Sequence, residues 1–114
     1  MLEIAFSEVD GCTVCRPTGD LDALTVAEFR EQLSTLSPET RLVIDLCGVP
    51  FMDSTGLGAL IGGIRRIRDA GGSIEVVCDR PAVLRLLHTT GFDRIVGVSA
   101  TFDEALAALL PTPG

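Results

Sequence analysis

The stretch from Arg41 to Cys78, RLVIDLCGVPFMDSTGLGALIGGIRRIRDAGGSIEVVC, decides the fold. It opens with Arg41-Leu42-Val43-Ile44-Asp45-Leu46-Cys47, a short and continuous apolar run with β-branched residues, the pattern of a strand buried on both faces of a sheet. From Ser54 the period changes. Leu57, Leu60, Ile61, Ile64 and Ile67 fall on one helical stripe, and the pattern stops at Gly71-Gly72, where helices commonly end. Ser73 to Cys78 then reads as a second buried strand. Strand, helix, strand in this order is a crossover between parallel neighbours, and it puts the Arg41 strand in the middle of a sheet.

Toward the N-terminus, Leu2 to Phe6 and Thr13 to Arg16 read as short strands joined at Asp10-Gly11, a pair suited to a hairpin turn. Between Thr25 and Leu36 the apolar residues Val26, Phe29, Leu33 and Leu36 recur at three and four, with Thr25 placed to cap and Glu28 placed to close a capping box. Toward the C-terminus, Pro81 to Leu87 reads as a short helix with Pro in its first turn, Arg94 to Val98 as a strand and Phe102 to Leu110 as a closing helix. The order β-β-α-β-α-β-α-β-α predicts an α/β fold: a mostly parallel sheet with an antiparallel edge and about four helices. The chain of 114 residues fits one domain over 1–110, leaving Pro111-Thr112-Pro113-Gly114 as a short tail.

Composition narrows the functional classes. With 46% hydrophobic residues the chain can bury a core without disulfides or a structural metal. Its net charge of −7, from 9 basic and 16 acidic side chains, opposes binding to a phosphate backbone, and the absence of Trp and Tyr removes the usual stacking platform for bases. Nucleic acid is therefore not an expected partner. All of the basic residues are arginine, a bias of the source genome from which no function is drawn. Met1 to Ser7 lacks the basic start and long apolar run of a targeting segment, and no stretch approaches the roughly 20 apolar residues of a membrane span. A cytoplasmic location without membrane attachment is expected, with the four cysteines as free, packed thiols.

The link from the central strand into its helix, Gly48-Val49-Pro50-Phe51-Met52-Asp53-Ser54-Thr55-Gly56-Leu57-Gly58, is where function is expected. Sites in open α/β sheets form beyond the carboxyl ends of the strands, where helix N-termini present free N–H groups. Ser54 falls at or beside the N-cap, and a serine there is commonly only a cap. With the apolar stripe turned inward, Gly58, Ala59, Gly62, Gly63 and Arg66 face outward. Each interior glycine costs about 1 kcal/mol relative to alanine, so the face calls for a compensating reason. Either another backbone approaches it closely, or Gly62 or Gly63 packs against an element of the same fold.

Taken whole, Phe51-Met52-Asp53-Ser54-Thr55-Gly56-Leu57-Gly58 resembles the signature of the anti-sigma factor antagonists, bacterial members of the STAS domain family. The likeness extends over nearly the whole chain: Thr18-Gly19-Asp20-Leu21-Asp22 resembles the family's Gly-acid-Leu-Asp turn, and Pro81-Ala82-Val83 with Thr90-Gly91-Phe92 its later helix and loop. Asp20 stands where glutamate is more usual, with the charge kept. The resemblance implies a STAS-type mixed sheet and a stress-response or other transcription regulator that is not an enzyme. The resemblance further implies binding to an anti-sigma factor, itself a serine kinase, which frees a sigma factor. It also implies phosphorylation of Ser54 as the off switch, a serine phosphatase as the reversing partner, Asp22 and Asp53 flanking the phosphoacceptor, and Thr55 as a neighbour without the primary role. No cofactor is implied. The expected partner-binding set is Asp20, Asp22, Asp53, Ser54, Thr55, Gly56, Gly58, Gly62 and Arg66, with specificity expected near Asp20 to Val26 and along the glycine face.

Other motifs carry less. Cys12-Thr13-Val14-Cys15 has metal or redox spacing, yet on a strand these residues point to opposite faces, and Cys47, Cys78 and His88 are scattered. His88 falls in a helix's last turn, where a cation is favourable. The glycines at 58, 62 and 63 lack the Lys-Ser/Thr ending of a phosphate loop. Arg65, Arg66 and Arg68 either complement their helix dipole or form a rim contact to an acidic partner. Two rival readings remain: a STAS scaffold or transporter-associated subunit with Ser54 only a helix cap, and a small enzyme using Asp53 or Ser54, against which stands the lack of a placed base.

Overall fold

The computed structural model describes residues 2–37 and 40–110, so the tail at 111–114 lies outside the described residues. The sheet has five strands in chain order: β1 (Glu3–Val9), β2 (Cys12–Thr18), β3 (Arg41–Asp45), β4 (Ser73–Val77) and β5 (Gly97–Ser99). β1 and β2 form the antiparallel edge, and every later pairing is parallel. Asp10 and Gly11, at φ 52° and 79°, make the tight hairpin turn between the first two strands, as Asp-Gly predicts. β3 takes the middle place, with Leu42, Val43 and Ile44 fully buried.

The helices are α1 (Val26–Ser34), α2 (Ser54–Asp69), α3 (Pro81–Thr89) and α4 (Phe102–Leu109). Because the strand order never reverses, crossovers of one hand place α1, α2 and α3 on the same face. There they enclose the main core of Phe29, Leu33, Leu42, Ile44, Leu60, Ile64, Ile67 and Leu87. α4 covers the other face, where Ala105 and Leu106 pack on Cys12, Val14, Val43 and Val77. Cys12 and Cys15 thus lie on opposite faces, as strand geometry requires.

Two local expectations are corrected. The capping box on α1 does not form: the Thr25 hydroxyl donates to the Asp20 carbonyl at 2.9 Å and accepts the Asp22 N–H at 3.1 Å. Asp22 reaches the helix start first, its Oδ1 accepting the N–H groups of Leu24 and Thr25 at 2.9 and 3.2 Å, and Glu28 stays exposed. The last strand also begins later than Arg94. Phe92 is drawn fully into the core, Gly91 turns the chain at φ 77°, and a 3-10 turn over Phe92–Arg94 precedes β5.

The cysteines are free, with Cys12, Cys15 and Cys78 buried and Cys47 only partly so. Burial pushes the Cys15 thiol up to about 12, and Cys47 reaches about 12 through desolvation first, then its hydrogen bonds to and the charges of Asp45 and Asp79. Iodoacetamide at pH 8 should therefore label native protein far more slowly than urea-unfolded protein. Folded Cys15 keeps its proton to about pH 12, whereas the unfolded thiol releases it near the ordinary value of 9.0. The native state then holds the extra proton, so stability should fall as pH rises through this window. Cys15→Ala should flatten that slope in urea titrations across the window.

Candidate functional site

The site forms where two loops pair beyond the carboxyl ends of β2 and β3. Leu21 and Met52 make an isolated parallel bridge: the Leu21 N–H donates to the Phe51 carbonyl at 3.0 Å, and the Asp53 N–H donates to the Leu21 carbonyl at 3.2 Å. A further bond from the Gly19 N–H to the Gly48 carbonyl, 3.0 Å, closes the base of the same ladder. The loop carrying Asp20 and Asp22 is thereby fixed against the start of α2. One-way winding leaves no topological switch point, so these paired loops provide the surface that a strand reversal provides in other α/β sheets.

Asp53 joins the two loops. It is the N-cap of α2, with Oδ1 accepting the Gly56 N–H at 2.9 Å, and its Oδ2 accepts the Ala23 N–H at 3.3 Å. The cap therefore belongs to Asp53 and not to Ser54, which corrects the reading of Ser54 as only a helix cap. The physical reason is the bridge to Leu21, which holds Asp53 extended at φ −102°, ψ −178° and leaves Ser54 as the first helical residue. Ser54 is exposed, and its hydroxyl has no hydrogen-bond partner among the described residues. Thr55 is exposed beside it.

The glycines separate by role. Gly56 is buried, and a Cβ there would lie 2.2 Å from the Leu21 carbonyl oxygen. Its part in the site is to let the helix sit against the Leu21 loop, so it is not itself a surface for a partner. Gly63, placed by the stripe on the outward face, follows the second of the two explanations offered for these glycines and packs against an element of the same fold: a Cβ would lie 2.7 Å from Cδ1 of Leu33 on α1. Ala59 is buried, at 3% exposure, which corrects its outward placement. Both share one cause, since α1 packs along that side of α2. Gly58 and Gly62 are exposed and would meet nothing within 4 Å, so the fold gives no reason for glycine at either. Arg66 stays exposed while its Nη2 donates to the Leu33 and Leu36 carbonyls at 2.8 and 3.2 Å, satisfying the end of α1. Arg68 bonds the Ile95 carbonyl in the same manner.

Two features were not read from the sequence. Leu24 stands 93% exposed on the turn between Asp22 and α1, and Phe51, on the second loop, is 51% exposed. The available signal was phase: Leu24 falls outside the stripe of Val26, Phe29 and Leu33 that α1 buries. His88 lies in the last turn of α3 with Nδ1 2.9 Å from Asp93 Oδ2, away from these loops in sequence and exposed. Among the described residues no group of His, Cys, Asp or Glu could hold a metal ion, and no helix is long and apolar enough to cross a membrane.

A five-stranded sheet wound one way, antiparallel only at its first edge and covered by helices on both faces, makes this a small α/β domain. The model of the STAS domain matches residues 3–105, and the chain belongs to the STAS domain family. The anti-sigma-B factor antagonist of Bacillus subtilis (strain 168) is similar to it, 34% identical over 83 residues that span 72% of this chain and 76% of that one. The anti-sigma F factor antagonist of Paenibacillus polymyxa is 31% identical over 111 residues, 95% of this chain and 92% of its own. The crystal structure of an anti-sigma factor antagonist from Mycobacterium paratuberculosis has a TM-score of 0.88 at 29% identity, covering 96% of this chain and 94% of that one.

Proposed function

We propose that this chain is an anti-sigma factor antagonist. Unphosphorylated, it binds an anti-sigma factor that is also a serine kinase and so frees a sigma factor; phosphorylated at Ser54, it lets go. The observation that carries this reading is the state of Ser54: exposed at the first turn of α2, with its hydroxyl unengaged because Asp53 takes the cap. In the switching step the γ-phosphoryl group of ATP, brought by the kinase, passes to Ser54 Oγ. The hydroxyl proton is lost and ADP leaves. Nothing in this step asks the chain for a catalytic group. A serine phosphatase would reverse it by hydrolysis, and the setting would be the cytoplasm. The surface offered to the kinase comprises Asp20, Asp22, Asp53, Ser54 and Thr55, with Gly58, Gly62 and Arg66 along α2.

The test is intact-mass analysis after incubation with ATP and each anti-sigma serine kinase of the source genome, followed by peptide mapping. One phosphate on wild type and none on Ser54→Ala is the expected result. A kinase that binds the protein yet leaves Ser54 unmodified, or places the phosphate on Thr55, would overturn the switch.

A further inference from the structure

We infer that Leu24 is an anchor residue of the partner contact, seated in an apolar pocket of the anti-sigma factor; this rests on the function proposed above. Leu24 is 93% exposed, by far the most exposed of the large apolar side chains among the described residues. A single surface leucine is ordinary in itself. This one differs in how it is held. Its own N–H and that of Thr25 are both bound by Asp22 Oδ1, and the N–H of Ala23 is bound by Asp53 Oδ2. The loop thus fixes the backbone beneath an apolar side chain that covers nothing.

Fixing that backbone before binding lowers the ordering cost that a flexible loop would incur on association. The second loop adds Phe51, so the two pairing loops each present an apolar residue, and the start of α2 with Ser54 follows directly from the second. Asp53 connects these parts, because one of its oxygens caps the helix carrying Ser54 and the other holds the Leu24 turn. The partner chemistry that fits is an apolar recess able to take a leucine, next to the groups that approach Ser54. Full burial of one leucine corresponds to roughly a 10- to 100-fold change in affinity.

Leu24→Ser is the deciding variant, since so exposed a side chain contributes no packing and the fold should be untouched. The full chain, wild type and variant, is titrated with the kinase that modifies Ser54, and the rate of modification is followed with the melting temperature. The expected result is a dissociation constant raised roughly 10- to 100-fold, a higher KM for Ser54 modification with kcat kept, and an unchanged Tm. Unchanged affinity with Ser54 still modified would overturn the anchor and leave the switch standing. If wild type self-associates, Leu24→Ser is monomeric and kinase affinity is unaffected, the residue serves a second copy and the inference falls. If no kinase binds or modifies the wild type, the underlying function fails and takes this inference with it.

Discussion

Gly56→Ala should lower the unfolding free energy by about 2 kcal/mol, whereas Gly58→Ala, two residues along the same helix, should raise it by about 0.5–1 kcal/mol. Intrinsic propensity favours alanine at both positions, so the opposite signs isolate packing. At Gly56 the new Cβ would lie 2.2 Å from the Leu21 carbonyl oxygen, 2.9 Å from its carbonyl carbon and 3.0 Å from Cγ. The nearest atoms are backbone, and that carbonyl already accepts the Asp53 N–H, so relief requires parting the two loops. The bridge between Leu21 and Met52 would loosen with it, along with the bond from Ala23 to Asp53. At Gly58 a Cβ meets nothing within 4 Å, and the whole helical gain is realised. Urea denaturation of both variants, read at constant m-value, checks the pair. Equal and stabilising effects would mean that α2 does not depend on close contact with the Leu21 loop.

The contrast also shows what a single sequence exposes. β3 was legible because Leu42, Val43 and Ile44 are buried on both faces, which leaves a continuous apolar run; α2 was legible because its stripe follows one period. The glycines of α2 look alike in sequence, yet their surroundings differ. Gly56 answers to Leu21 and Gly63 to Leu33, both distant along the chain, while Gly58 and Gly62 answer to nothing within the fold. Periodicity alone put Ala59 and Gly63 outside because it cannot know on which flank α1 will lie. The cap was ambiguous for a related reason. Asp53 and Ser54 are both good capping residues, and the choice between them is made by the bridge from Leu21, a tertiary contact. The same bridge explains the failed capping box on α1, since the turn it fixes brings Asp22 to the helix start ahead of Thr25.

Phosphorylation of Ser54 should weaken kinase binding at least about 100-fold while leaving the fold intact. Two opposite consequences follow from one added group. Within the chain the phosphate sits at the first residue of α2, where free N–H groups and the helix dipole favour an anion by about 0.3–1 kcal/mol, which offsets its repulsion from the adjacent Asp53. Stability should therefore move by no more than about 1 kcal/mol. At the interface proposed above the same group opposes binding: about two negative charges and three oxygens would occupy the surface offered to the kinase, on a chain whose net charge is already −7. Ser54→Asp supplies one charge and less bulk, so its loss of affinity should be smaller than that of the phosphoprotein. Added salt should recover part of the electrostatic share and none of the steric share. Titration of the kinase with stoichiometrically phosphorylated protein at low and high ionic strength separates the two. Binding equal to that of wild type would remove the switch. A collapse of the melting transition on phosphorylation would mean that the mark acts by unfolding, and the geometry at Asp53, which leaves the serine outside the cap, would then have no role in signalling.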